Sequence, residues 1–180
     1  MSPVPALVPP LQVGRWGEEL AFHLLVSAAE QGRMEQLLPG LDTLVWGGVR
    51  AVWVNEASES GLPYDIVITG SGGGGSMGGV GARGGGAERV LAYVEVKSSS
   101  SNDKHLFEVS RREMEFAERE GAKYHILRVW GATVGGPGAA GGGPSPGGGV
   151  GARALAPRVQ AFRDPVQQWR HHKMSFCLLV

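Results

Sequence analysis

Cysteine is almost absent: Cys177 stands alone in 180 residues, so no disulfide can form within the chain, and this usage suits a reducing compartment. A lone thiol of this kind is expected to pack as a small hydrophobe rather than act as a nucleophile. Long apolar runs are missing too, and none approaches the ~20 residues a membrane-spanning helix needs. The start Met1-Ser2-Pro3-Val4-Pro5 has neither the basic residues nor the apolar stretch of a secretory signal. The expectation is an intracellular protein, nuclear or cytoplasmic, with no membrane partner. Net charge is likewise lacking, with 17 Lys and Arg against 17 Asp and Glu, so no global field draws the chain to nucleic acid as it would a strongly basic domain.

Glycine, by contrast, is concentrated. Residues 70–86 hold 11 glycines and residues 135–151 hold 10, so the two runs account for 21 of the 30 in the chain. Segments with so few apolar side chains cannot offset the entropy of ordering, and both are expected to be disordered insertions. Neither is a phosphate loop, because Gly-Lys-Ser/Thr and a following helix are missing. Residues 1–12 are proline-rich and are expected to be disordered. The remainder, 13–180, is long enough for a single domain with one core.

Order is expected from about Gly14. At 100° per residue, Leu20, Ala21, Phe22, Leu24, Leu25, Ala28 and Ala29 fill one arc of a helix over 15–29, and Arg15, Glu19 and His23 fill the opposite arc. Glu18 falls in the apolar arc. A buried carboxylate needs a partner, such as a metal or a lysine, although a glutamate near a helix start also simply complements the helix dipole. Strands are expected over 49–54, 64–69, 90–97 and 123–129, with a short strand near 158–162 and a final edge strand over 175–180. Ser110-Arg111-Arg112-Glu113 fits a capping box that opens a helix running to Gly121. The second and third strands suit an antiparallel hairpin, and the helix between the third and fourth suits a parallel crossover. His171 and His172 are adjacent, so they point to different sides of any regular element and make a poor metal pair.

Chemistry is suggested by the second and third strands. Strand alternation puts Asp65 and Val67 on one side and Ile66 and Ile68 on the other, and it groups Tyr93, Glu95 and Lys97 opposite Ala92, Val94 and Val96. If the strands pair, Asp65, Glu95 and Lys97 converge. Hard oxygen ligands of this kind suit Mg²⁺ or Mn²⁺, whereas a solvated ion pair on an exposed face is the plain alternative. Glu56 and Glu59, just before the second strand, are either loop charges or residues that orient ligands. Arg111, Arg112, Arg119, Lys123 and Arg128, then Arg163, Arg170 and Lys173, form a basic trail that also reads as ordinary solvated surface.

The order of helix with Glu, strand, strand with Asp, strand with Glu-x-Lys, helix and strand resembles the PD-(D/E)xK nuclease superfamily. The wording Trp53-Val54-Asn55-Glu56, Glu59-Ser60-Gly61-Leu62-Pro63-Tyr64-Asp65, Tyr93-Val94-Glu95-Val96-Lys97-Ser98 and Phe107-Glu108-Val109-Ser110 is closer still to the family of NO VEIN C-terminal domains. The likeness spans about residues 12–130. It implies an α/β fold with a central mixed sheet flanked by helices, like the core of restriction endonucleases, and a site of Glu18, Asp65, Glu95 and Lys97. Asp65 and Glu95, with the carbonyl of Val96, would hold Mg²⁺ or Mn²⁺, and DNA or RNA would be the partner cut. The alternatives are a binding or scaffolding module that keeps the charged pocket without turnover, and a domain that recognises DNA ends without cutting them.

Overall fold

The computed structural model describes residues 10–41, 46–72, 88–99, 106–131 and 157–179. Helices α1 (Pro10–Glu30) and α2 (Met34–Leu37) precede strands β1 (Trp46–Trp53), β2 (Ile66–Gly72), β3 (Glu88–Ser99) and β4 (Leu106–Ser110). Helix α3 (Arg111–Glu120), strands β5 (Tyr124–Trp130) and β6 (Arg158–Arg163), helix α4 (Pro165–Arg170) and strand β7 (Ser175–Leu179) follow. Five strands form a mixed central sheet in the order β1-β2-β3-β5-β6. Its β2–β3 hairpin is antiparallel and β3–β5 is parallel across the α3 crossover, both as the sequence led us to expect.

Each face of the sheet is covered by a helix because each strand alternates. On one face Ile66 and Ile68 of β2 and Ala92, Val94 and Val96 of β3 bury against Ala21 and Leu25 of α1, with Met34 and Leu38 closing the layer. On the other, Tyr124 and Ile126 of β5 pack with Ala117 of α3 and with Val109, Val166 and Met174. Full burial of a large aliphatic side chain contributes about 1.5–3 kcal/mol, so these two layers fix where the charged residues between them stand. Helix α3 is held at its start by the expected capping box, in which the Ser110 hydroxyl accepts from the Glu113 amide and the Glu113 carboxylate from the Ser110 amide. It stops at Gly121, whose φ of +53° a side chain would strain.

Several expectations need correction. Helix α1 starts at Pro10, within the stretch read as disordered, because proline at a first helical position sacrifices no hydrogen bond and has its φ preset; residues 1–9 lie outside the described residues. Gly70, Ser71 and Gly72 belong to β2 rather than to a loop, since ladder partners on both sides (Gly70 with Arg89, Gly72 with Trp46) supply the order their composition lacks. The rest of that run from 73, and the whole of 135–151, lie outside the described residues. Strand β4 was not anticipated, and β7 pairs with it in a separate parallel two-stranded sheet. Cys177 on β7 is exposed, not packed inside. His171 and His172 are exposed as well.

Candidate functional site

Asp65 sits where β2 begins. Its amide donates to the Val94 carbonyl and its own carbonyl accepts from the Val54 amide, both at 2.9 Å, so the residue is clamped between its two neighbours in the sheet. The side chain is clamped in turn. Oδ2 accepts from the Val96 amide at 2.7 Å, and Oδ1 from Asn55 Nδ2 at 2.8 Å. Asn55 is only 4% exposed and its Oδ1 accepts from the Ser60 amide, which ties the 55–65 segment to the same point. Burial pushes the Asp65 carboxyl up to about 7, against the pull of the Val96 amide and with the help of the Glu18 charge.

Glu95 and Lys97 project together from β3 as strand alternation requires. Lys97 Nζ lies 2.7 Å from Glu95 Oε1 and 3.0 Å from Glu113 Oε2. Glu95 is 7% exposed; burial, then the nearby Asp65 charge, holds its carboxyl well above the ordinary range. Burial alone would make Lys97 less basic, but Glu95 and Glu113 together outweigh it and keep the group an ammonium. Glu113 was legible in the sequence only as half of a capping box. That box places it on the first turn of α3, and the same Oε2 that caps Ser110 at 3.0 Å also meets Lys97.

Glu18 arrives from the opposite face. The expected helix phase holds: Glu18 is half-buried and Glu19 is exposed. Glu18 Oε2 accepts from the indole of Trp53 at 3.0 Å, and burial raises its carboxyl despite that bond. The Arg15 guanidinium lies over the Trp53 ring at 4.0 Å and donates to the carbonyls of Asn55 and Glu56. Close approach of α1 to β3 is made by Gly17, because a Cβ there would fall 1.7 Å from Ser98 Oγ and 2.7 Å from Ser98 Cβ. Asp65 lies between these two groups, in the plane of the sheet where β3 runs on past β2.

All four residues expected from the sequence therefore gather at one end of the sheet, and Asn55 and Glu113 join them unannounced. Asn55 carried one signal, a polar residue directly after a strand that enters the site. Glu56 meets the cluster through its backbone carbonyl, and Glu59 is near enough to raise the Glu18 carboxyl. Three members of the basic trail are paired locally: Arg111 with Glu115, Arg119 with Glu120 and Arg170 with Glu118. Among the described residues no three His, Cys, Asp or Glu side chains stand close enough together to hold a metal ion. Among them, too, no helix is long and apolar enough to cross a membrane.

The sequence profile described as Protein NO VEIN, C-terminal matches residues 18–138, a span containing this entire cluster. The chain is 36% identical over 118 residues to Protein NO VEIN of Arabidopsis thaliana, covering 66% of this chain and 3% of that protein. It is 35% identical over 116 residues to Protein NO VEIN-LIKE of the same plant, covering 64% of this chain and 13% of that one. The chain thus spans a small fraction of the length of these relatives. No solved structure matches it. Because the profile match spans residues 18–138, well over half of its length, the chain belongs to the NO VEIN C-terminal domain family.

Proposed function

We propose that this domain hydrolyses phosphodiester bonds in DNA or RNA with the help of Mg²⁺ or Mn²⁺, in the manner of the PD-(D/E)xK nucleases its sequence resembles. The observation that carries the reading is the meeting of Asp65 and Glu95 across β2 and β3 with the Lys97 ammonium 2.7 Å from Glu95.

The donor set fits a hard cation. Lys97 pairs with Glu95 and Glu113 and lies near Asp65, so three carboxylates share one ammonium, and an uncompensated buried carboxylate costs several kcal/mol, on the order given by model transfers. Burial first, and then the neighbouring Glu18 and Glu113 charges, raise the Asp65 carboxyl, and a bound cation would relieve both. Asp65 and Glu95 would hold the ion. The N–H and C=O of one strand residue point to the same side, so the Val96 carbonyl faces the side on which its amide meets Asp65 and would join them. Such a site has two carboxylates rather than three, which suits Mg²⁺, an ion that keeps several waters. When bound, the ion would make water more acidic and offset charge on the phosphoryl group.

The chain's own residues have separable tasks. Asn55 and the Val96 amide fix the Asp65 carboxylate in orientation. Lys97, an ammonium with three donors, orients an attacking water or offsets phosphate charge, and Glu18 closes the site from the α1 side. A binding or scaffolding module without turnover is the second reading. It rests on the engagement of Lys97 by both Glu95 and Glu113 and on the local pairing of Arg111, Arg119 and Arg170.

The test is cleavage of a panel of single- and double-stranded DNA and RNA in Mg²⁺ and Mn²⁺, with calorimetry of the ions alone. Parent cleavage is expected, with Asp65→Asn and Glu95→Gln losing both turnover and ion affinity. Lys97→Ala is expected to keep the ion while losing on the order of a hundredfold in rate. Absence of ion binding at millimolar concentration together with absence of cleavage overturns the nuclease reading. Nucleic-acid binding that survives all three substitutions then establishes the module.

A further inference from the structure

Lys97 has two carboxylate partners, and only one of them belongs to the pair that would take a cation. Glu95 comes from the same strand. Glu113 comes from α3, where its backbone is fixed by the first helical turn and its Oε2 is fixed by the Ser110 amide. The Glu113 carboxylate is therefore already oriented before Lys97 arrives. Its side chain is 17% exposed and that of Lys97 24%, so the pair is shielded from solvent and less screened than a surface pair.

Resting on the proposed function, we infer that Glu113 is a positioning residue: it is the partner that keeps Lys97 in place when a divalent cation draws Glu95 away. Without it, Glu95 is the ion-pair partner left to Lys97 among the described residues, and the lysine competes with the cation for that carboxylate. With it, the ammonium keeps a fixed acceptor 3.0 Å away, and Glu95 can turn to the ion without leaving the lysine unpaired. The capping box thus joins the start of α3 to the chemistry of β3 through one oxygen atom.

The substitution Glu113→Gln separates this role from helix capping, because a glutamine at the same position still accepts from the Ser110 amide. The probe is Mn²⁺ alone, read by calorimetry and by the paramagnetic signal of the free ion, on the whole chain. Glu113→Gln is expected to weaken Mn²⁺ about tenfold, a typical coupling between groups in direct contact. In a Lys97→Gln background the same change is expected to weaken Mn²⁺ less than about twofold, because the competitor is gone. Equal losses in the two backgrounds would mean that Glu113 acts as a plain nearby charge, and no loss in either would mean that it only caps; each result overturns the inference. If Glu113→Gln melts early, Glu113→Asp serves instead: it keeps the charge, shortens the reach by one methylene, and unaltered Mn²⁺ affinity there also overturns the inference. A parent chain that binds no Mn²⁺ removes the proposed function itself, an outcome distinct from all of these.

Discussion

The carboxylate of Asp65 takes the place of a backbone acceptor for Val96, whose amide donates to Oδ2 at 2.7 Å. Two residues earlier on β3 the Asp65 amide still donates to the Val94 carbonyl in ordinary antiparallel fashion. The side chain therefore continues the hydrogen bonding of β3 just where β2 begins, and the β3 end is left open for Glu95 and Lys97. A buried amide without an acceptor costs about 1–3 kcal/mol, so the sheet itself holds Asp65 in the site. That hold persists even though burial makes its ionised form unfavourable.

The consequence is a pH dependence with a definite sign. The Asp65 carboxyl rises from 3.8 to about 7 on folding, so between those values the folded chain binds more protons than the unfolded one. Stability from this group is complete below the unfolded value and is lost as pH rises through 7. The Glu95 shift has the same direction. His125 opposes both at acid pH, since burial lowers its basicity and the folded form resists protonation. Comparing the parent with Asp65→Asn isolates the aspartate. Between pH 5 and 8 the parent is expected to lose about 5 °C in melting midpoint relative to the variant. Addition of millimolar Mn²⁺ at pH 8 should restore the parent alone. A difference between the two chains that does not change with pH would show that Asp65 is ionised throughout.

Asp65, Glu95 and Lys97 were legible because strand alternation is a strict rule, and so was Glu18, because helical phase separates it from Glu19 by 100°. The hairpin and the crossover were legible from the lengths of their connections. What the sequence could not show were relations between distant segments. Strand β4 pairs with β7 across more than sixty residues, and neither strand carries a local mark of the other. Glu113 was fully accounted for by its cap, so nothing in Ser110-Arg111-Arg112-Glu113 pointed to Lys97. Gly72 has no propensity for strand and acquires its order from Trp46 of β1. Cys177 was misplaced because a free thiol usually packs as a small hydrophobe, yet even its neighbours Leu178 and Leu179 are about half exposed on that small sheet.

The two neighbouring glutamates of α1 provide a direct comparison. Glu18 is held by the Trp53 indole and lies close enough to Asp65 to raise its carboxyl, whereas Glu19 faces solvent. Glu18→Gln keeps an acceptor for the indole and removes one charge from the cluster. It is expected to weaken Mn²⁺ affinity by roughly three- to tenfold, as removal of a partly buried neighbouring charge does, while Glu19→Gln matches the parent. Melting curves for both variants should lie near that of the parent. Indistinguishable affinities would place Glu18 outside the site and leave it a structural partner of Trp53.

How Glu18 comes so near the sheet is decided one residue earlier. Gly17 lets α1 approach β3 until an added Cβ would meet Ser98 Oγ at 1.7 Å and Ser98 Cβ at 2.7 Å. The hydroxyl can rotate away, but the Cβ cannot, so an alanine must push the helix from the strand. Overpacking of this kind costs about 1–3 kcal/mol. It exceeds the roughly 1 kcal/mol that replacing a helical glycine with alanine would otherwise contribute. Gly17→Ala is therefore expected to destabilise the domain and, by displacing Glu18, to weaken Mn²⁺ binding as much as Glu18→Gln does. Ser98→Ala alone should be neutral or slightly stabilising, since its buried hydroxyl has no hydrogen-bond partner among the described residues. The decisive chain is the double variant Gly17→Ala with Ser98→Gly, which removes both clashing atoms. Its melting midpoint and Mn²⁺ affinity should return to near those of the parent. If the double variant remains as damaged as Gly17→Ala, the contact with Ser98 is not what sets the distance between helix and strand.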